Sequence, residues 1–271
     1  MVSFVVTGAN RGLGLAFIKK LAEDHTNTVF ALTRNKANST DLLEFQAKSN
    51  NIHVLQADIT DVPSLRNVAA EVERVTGGTL DVLINNGALL TSTRSYWTID
   101  QYDGKEDLLD EDFLEFYKIN TLGVIKTINV FLPLLRKAAQ NSLARIITIG
   151  SATASMEFTE KTGIDYVVPY SAAKAAVNMV NMKYAVRFKD ENLLFLSVSP
   201  GMSNTMAKDA SKQLEDVYAR LVQSMQAGYP DWNGQMSTPE EAVTMMLETA
   251  FKLTAKDSGA FLSHYGDTKW L

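Results

Sequence analysis

The chain has 271 residues, 46% of them hydrophobic and 21% charged, which is enough apolar material for a packed core and too much for a disordered segment. Its 26 basic and 31 acidic side chains leave a net charge of −5, the wrong sign for a protein that holds nucleic acid by its phosphates. With no cysteine, disulfides, thiolate metal sites, iron–sulfur clusters and a thiol nucleophile are excluded together.

No apolar run approaches the ~20 residues of a membrane-spanning helix. The N-terminus enters an apolar stretch without a basic leader or cleavage site. The expectation is therefore a cytoplasmic protein with no membrane contact.

Short apolar, β-branched runs predict strands at residues 2–6, 28–32, 53–57, 82–84, 145–149, 194–199 and near 260–262. Longer segments of helical spacing lie between them. In the first, Leu15, Ile18 and Ala22 share a face; others run over about 111–139 and 170–189. Thr238-Pro239-Glu240-Glu241 predicts a helix start, with Thr as cap, Pro in the first turn and Glu three residues on. Strands alternating with helices imply right-handed crossovers and a mostly parallel sheet covered on both faces. Ligands bind such sheets at the carboxyl ends of the strands.

After the first strand comes Thr7-Gly8-Ala9-Asn10-Arg11-Gly12-Leu13-Gly14, leading directly into the first helix. Glycines there permit a tight turn and let the backbone approach a pyrophosphate held at the helix N-terminus. An ordinary turn is also glycine-rich; the placement between first strand and first helix favours the dinucleotide reading.

The spacing is G-x-x-x-G-x-G with Thr in front, which resembles the compact, single-domain branch of the short-chain dehydrogenase/reductase family. Other motifs follow in that family's order. Asp58 with Ile59 ends the third strand, and Asn85-Asn86-Gly87-Ala88 ends the fourth, its last two residues exchanged relative to the family's N-N-A-G. Asn120 falls mid-helix, Ser151 closes the fifth strand, and Tyr170 and Lys174 stand four apart. Pro200-Gly201-Met202 and Thr205 follow the sixth strand, and Gly266 and Trp270 resemble the tail of a carbonyl-reductase-like subgroup.

The resemblance implies a Rossmann-type, doubly wound, seven-stranded sheet in one domain over residues 1–271, with a substrate loop or lid at about 202–236. It implies a cofactor held by Gly8, Asn10, Arg11, Gly12, Leu13, Gly14, Arg34, Asp58, Ile59, Asn86, Gly87, Pro200, Gly201, Met202 and Thr205, with Tyr170 and Lys174 reaching its reactive end. It further implies a homodimer or homotetramer built on the helices around 113–139 and 170–188.

An NAD site wants an acid at the end of the second strand. Here Thr33 holds that position, Arg34 follows, and Arg11 precedes the middle glycine. Guanidinium forks suit a 2′-phosphate; two contacts at ~1.5 kcal/mol each would favour NADPH/NADP+ over NAD by about 100-fold. The competing reading makes both arginines ordinary solvated side chains.

Tyr170 and Lys174 in Y-S-A-A-K share one helix face. Bringing a phenol from ~10 toward neutrality takes ~3 units, roughly 4 kcal/mol, which a neighbouring ammonium and the positive nicotinamide ring could supply in a partly dry cleft. The implied reaction is NADPH-dependent reduction of a ketone or aldehyde, Tyr170 donating the proton while Ser151 holds the carbonyl oxygen. Lys174 would tune the phenol, and Asn120, by resemblance, would anchor a water relaying protons to it. Ser155 competes with Ser151, and Tyr265 with Lys269 repeats the catalytic spacing with no helix to align it.

The same residues would serve NADP+-dependent alcohol oxidation, and a non-catalytic NADPH sensor or scaffold is the reading from another class. No G-x-S-x-G elbow supports a hydrolase, and His25, His53 and His264 are too scattered for a metal site. A hydrophobic carbonyl substrate is expected from three stretches. They are 91–110 with Tyr96, Trp97 and Tyr102; 155–168 with Met156 and Phe158; and 202–236 with Met206, Tyr218, Met225, Tyr229 and Trp232.

Overall fold

The computed structural model describes residues 1–205 and 212–271, leaving out the side chains at 212–214 and 217. Met206 lies outside the described residues. Seven strands form one sheet in the order β3-β2-β1-β4-β5-β6-β7, every neighbouring pair parallel. They are β1 Ser3–Thr7, β2 Thr28–Thr33, β3 Ile52–Gln56, β4 Val82–Asn85, β5 Ala144–Ile149, β6 Leu193–Ser199 and β7 Phe261–Ser263. This is the Rossmann-type, doubly wound sheet expected from the strand–helix alternation.

Helices α1 Gly12–Ala22, α2 Thr40–Gln46, α3 Val62–Thr76, α4 Glu106–Tyr117, α5 Gly123–Ala139, α6 Met156–Thr162, α7 Val168–Arg187, α8 Lys212–Gly228 and α9 Pro239–Lys252 occupy the connections. Side chains alternate across the sheet, so each strand feeds two cores. Phe4 and Val6 of β1 pack with Ile18 of α1 and Val243 of α9 on one face. Val5 packs with Val72 of α3 and Phe131 of α5 on the other.

Capping sets several boundaries. The predicted start of α9 is a reciprocal box: Glu241 N–H donates to the Thr238 hydroxyl at 3.2 Å, and Thr238 N–H to the Glu241 carboxylate at 2.8 Å. The 155–168 stretch, for which no element was predicted, holds α6. Ser155 accepts from Phe158 N–H at 3.3 Å, and Gly163 ends the helix at φ 64°. Those are ordinary start and stop signals on a helix too short to show a periodic face. The helix expected from about 111 begins at Glu106 and continues, through a π turn at Lys118–Leu122, to Ala139. By length and composition this stretch could cross a membrane, which the apolar-run test passed over because charges interrupt it. Half of its most apolar window is buried inside the protein.

Phe131 is fully buried against the sheet. Phe131→Ala is expected to lower unfolding free energy by about 3–5 kcal/mol, seen as a lower urea midpoint with an unchanged m-value.

Candidate active site

The strand order reverses between β1 and β4, and the glycine turn sits at that point. Gly8 and Gly12 have φ of 65° and 53°, left-handed values that glycine adopts without penalty. Gly14 is required for a different reason: a Cβ there would lie 2.1 Å from the Gly8 carbonyl oxygen. The first turn of α1 therefore rests directly on the loop, with its N–H groups facing the cleft.

Two side chains lace the turn to β4. The Thr7 hydroxyl accepts from Asn86 N–H at 3.0 Å and Gly87 N–H at 2.9 Å. The Asn86 amide donates to the carbonyls of Thr7 at 3.0 Å and Gly8 at 3.1 Å. Asn86, expected as a cofactor contact, spends its amide nitrogen on bracing the turn. Gly87 stands where an added Cβ would lie 3.3 Å from the Thr7 hydroxyl, so the exchanged Gly87-Ala88 order relieves crowding at this junction.

Ala9 N–H donates to Leu32 O at 3.0 Å, tying the turn to the end of β2. Thr33 is buried, its hydroxyl 2.9 Å from that of Ser39, so it presents no acceptor to the cleft. Arg34 and Arg11 are both exposed and have no ion-pair partner among the described residues. Asp58 uses Oδ1 to accept from Thr60 N–H at 2.7 Å and its hydroxyl at 2.8 Å. Ile59 packs against Gly123 at the start of α5. Beyond β6 the chain turns at Gly201 with φ 70°, and Thr205 reaches back to Gly12, 3.5 Å from where its Cβ would be.

Tyr170 and Lys174 lie on the first turns of α7. Lys174 is buried, donates from Nζ to Ile149 O at 2.7 Å, and sits 5.8 Å from the Tyr170 ring centroid. Burial pushes its ammonium down to about 8. Tyr170 moves the other way: burial pushes the phenol up to about 12, against the Ser151 hydroxyl, which favours the phenolate. The expected lowering of the phenol by Lys174 is therefore not a property of the chain alone. The ammonium is aimed at a main-chain carbonyl, and burial dominates both groups.

Ser151, at the end of β5, is 2.9 Å from the Thr153 hydroxyl and beside Tyr170. Its competitor Ser155 is occupied as the cap of α6. Asn120 lies in the π turn, fully buried, and its amide exchanges two bonds of 2.8 Å with the backbone of Leu89. Both ends of the Asn120 amide are thus committed to Leu89, with one N–H and one oxygen lone pair left over. The Thr121 hydroxyl donates to Ala173 O at 2.9 Å, joining this turn to α7.

On the substrate side, Tyr96, Tyr170, Met202, Tyr229 and Trp232 pack around a small core of Phe158, Tyr166, Met225 and Trp270. Tyr218 meets the Thr205 hydroxyl at 3.4 Å. Met156 is 90% exposed, outside that cluster. Tyr102 is removed from the pocket by its bond to Asp112, 2.7 Å. Tyr265 and Lys269 are both exposed, and their repeated spacing has no structural counterpart. Among the described residues, no group of three His, Cys, Asp or Glu side chains could hold a metal.

One site residue was missed. His264 is buried, and a Cβ on Gly201 would fall 2.4 Å from its imidazole. Burial lowers its pKa, favouring the neutral ring. No local signal marks it: the β6–β7 register, Ser199 opposite Ser263, is what places the next residue beside Pro200-Gly201.

Residues 3–216 match the family model described as short chain dehydrogenase. The short-chain dehydrogenase/reductase atnB of an Arthrinium species is 40% identical, and AacuF of Aspergillus aculeatus 36%, each over the full length of both chains. Among solved structures, an NADPH-bound carbonyl reductase from chicken fatty liver is 30% identical with TM-score 0.78, covering 98% of this chain and 97% of its own. The putative carbonyl reductase Sniffer of Caenorhabditis elegans is 26% identical with TM-score 0.75, covering 98% of both chains. A glycine turn at the strand reversal, a Tyr–Lys pair on α7 and full-length likeness to these proteins have one explanation: the chain is an oxidoreductase of the short-chain dehydrogenase/reductase family, of carbonyl-reductase-like type.

Proposed function

We propose that this protein reduces a hydrophobic ketone or aldehyde to its alcohol with NADPH. The observation that carries the reading is Tyr170 and Lys174 on one helix turn with Ser151 beside them, at the same end of the sheet as the glycine turn. The NADPH-bound carbonyl reductase from chicken supports it at 30% identity. A dinucleotide fits the residues present: Gly14 leaves no room for a side chain over Gly8, Thr205 closes over Gly12, and Arg11 and Arg34 stand exposed at the rim with no ion-pair partner among the described residues.

In this reading NADPH, when bound, supplies the hydride. The α1 N-terminus holds the pyrophosphate, Arg11 and Arg34 hold the 2′-phosphate, and the free Asp58 oxygen faces the adenine side. Ser151 donates a hydrogen bond to the carbonyl oxygen, and Tyr170 gives that oxygen its proton as the C=O π bond becomes a C–H and an O–H bond. Lys174 orients the nicotinamide ribose and supplies positive charge beneath the phenol. Exposed Leu114 and Tyr117 on α4, with Met179 and Val186 on α7, support assembly as a homodimer or homotetramer.

Tyr170→Phe is expected to cut turnover at least about 100-fold with the dissociation constant for NADPH nearly unchanged; retained turnover overturns the assignment. The parent should bind NADPH about 100-fold more tightly than NADH, and Arg34→Ala should erase about tenfold of that preference, read by fluorescence titration of both nucleotides. Tyr170, held near 12, keeps its proton across the neutral range while Lys174, near 8, loses its own first. The kcat/KM for reduction should therefore be level below neutrality and fall as pH rises through about 8, whereas Lys174→Met should be slow and flat over the same range.

A further inference from the structure

The chain enters α7 against its local preferences. Val167, the residue before the helix, is left-handed at φ 54° and ψ 34°, although it is β-branched and buried. For a β-branched residue that conformation is a steric outlier. Val168 is helical although it precedes Pro169, a position where the ring disfavours helical backbone. No side-chain cap assists the start. Strained backbone persists only where its surroundings over-determine it, and here it stands three residues from Tyr170.

What imposes the conformation lies on the other side of the cleft. Val167 N–H donates to Ser95 O at 2.9 Å, and Val167 O accepts from Ser171 N–H at 2.9 Å to close the first turn of α7. Ser95 is buried, and its hydroxyl accepts from Ser92 N–H at 2.6 Å. The segment around it is stapled to α4 by a buried network centred on Asp112. Arg94 donates to both Asp112 oxygens, at 2.7 and 2.8 Å, and Tyr102 donates its hydroxyl to the same carboxylate at 2.7 Å. One turn on, α4 presents buried Phe116 edge-on to the Tyr170 ring, with centroids 6.3 Å apart.

We propose that Arg94, Tyr102 and Asp112 are positioning residues for Tyr170. They fix the 92–102 segment on α4, that segment holds Val167 in its left-handed conformation through Ser95, and Val167 sets the phase of the turn that carries the phenol. The inference rests on the reading of Tyr170 as the proton donor. It extends that reading by making the phenol's placement depend on the 92–102 segment through the backbone of Val167. Tyr96, in the same segment, packs with the substrate-side cluster. A carbonyl compound docking there therefore presses on the element that orients its own proton donor.

The test reads Tyr170 without substrate. Protein labelled at tyrosine Cζ is compared by NMR near neutral pH, the Tyr170 resonance being assigned by its loss in Tyr170→Phe. Tyr102→Phe and Asp112→Asn should each displace the resonance and broaden it about twofold or more, as the ring samples a second orientation. Glycine takes positive φ without help, so in a Val167→Gly background the same two substitutions should leave the line unmoved. Thermal melting should fall in both backgrounds, which separates lost stability from lost positioning. Should Asp112→Asn not fold, Tyr102→Phe, which removes a single hydrogen bond, carries the comparison. An unperturbed Tyr170 line in the folded single variants overturns the proposal, as does an equal displacement in the Val167→Gly background. No turnover enters the readout, so failure of the proposed reaction shows up separately, as an unchanged rate in Tyr170→Phe.

Discussion

The cleft exists because β1 and β4, neighbours in the sheet, lead their chains to opposite faces, β1 to α1 and β4 onward to α4 and α5. That divergence leaves the ends of β1 and β4 adjacent and their main-chain groups in need of partners. The Thr7 hydroxyl and the Asn86 amide meet the need with four hydrogen bonds between 2.9 and 3.1 Å across a gap of about eighty residues in sequence. Buried polar groups left unpaired there would each cost about 1–3 kcal/mol. The glycine turn therefore has a fixed floor, and the close approach of Gly14 to Gly8 follows from it.

Burial decides the electrostatics of the reactive end. Desolvation penalises whichever form is charged, so it raises the phenol and lowers the ammonium, and the pair keeps both protons at neutral pH. The Ser151 hydroxyl works the other way and favours phenolate. In the chain by itself the phenol is a guarded proton store. Any further loosening of that proton has to come from charge that arrives with the ligands.

The parts legible in the sequence were those with a local signature. Strand runs fell within a residue or two of their observed places because alternation and β-branching act over five residues at a time. The glycine turn and the Tyr170–Lys174 face were readable for the same reason. What escaped was set by contacts between distant segments. Nothing near Asn120 announces a π turn, since its two bonds go to Leu89. Tyr102 looked like a pocket aromatic until Asp112 claimed its hydroxyl. His264 looked isolated until the β6–β7 register set it under Gly201. Nothing in the 155–168 stretch announces the left-handed backbone of Val167, whose N–H goes to Ser95 O, seventy-two residues earlier.

The seating of Gly201 on His264 has an effect on the order of assembly. Residues 1–199 contain six of the seven strands and both walls of the glycine turn, so a growing chain can pack most of the sheet early. The bend after β6 is completed only by later residues: Met202 and Asn204 pair with Ser237, and Gly201 seats on His264, just past β7 at Phe261–Ser263. Synthesis runs from the N-terminus, and sixty-odd residues separate the bend from its support. A ribosome-bound chain with six strands in place would thus have a finished floor and an unfinished wall. Competence to grip a dinucleotide is, on this architecture, among the last properties the polypeptide acquires.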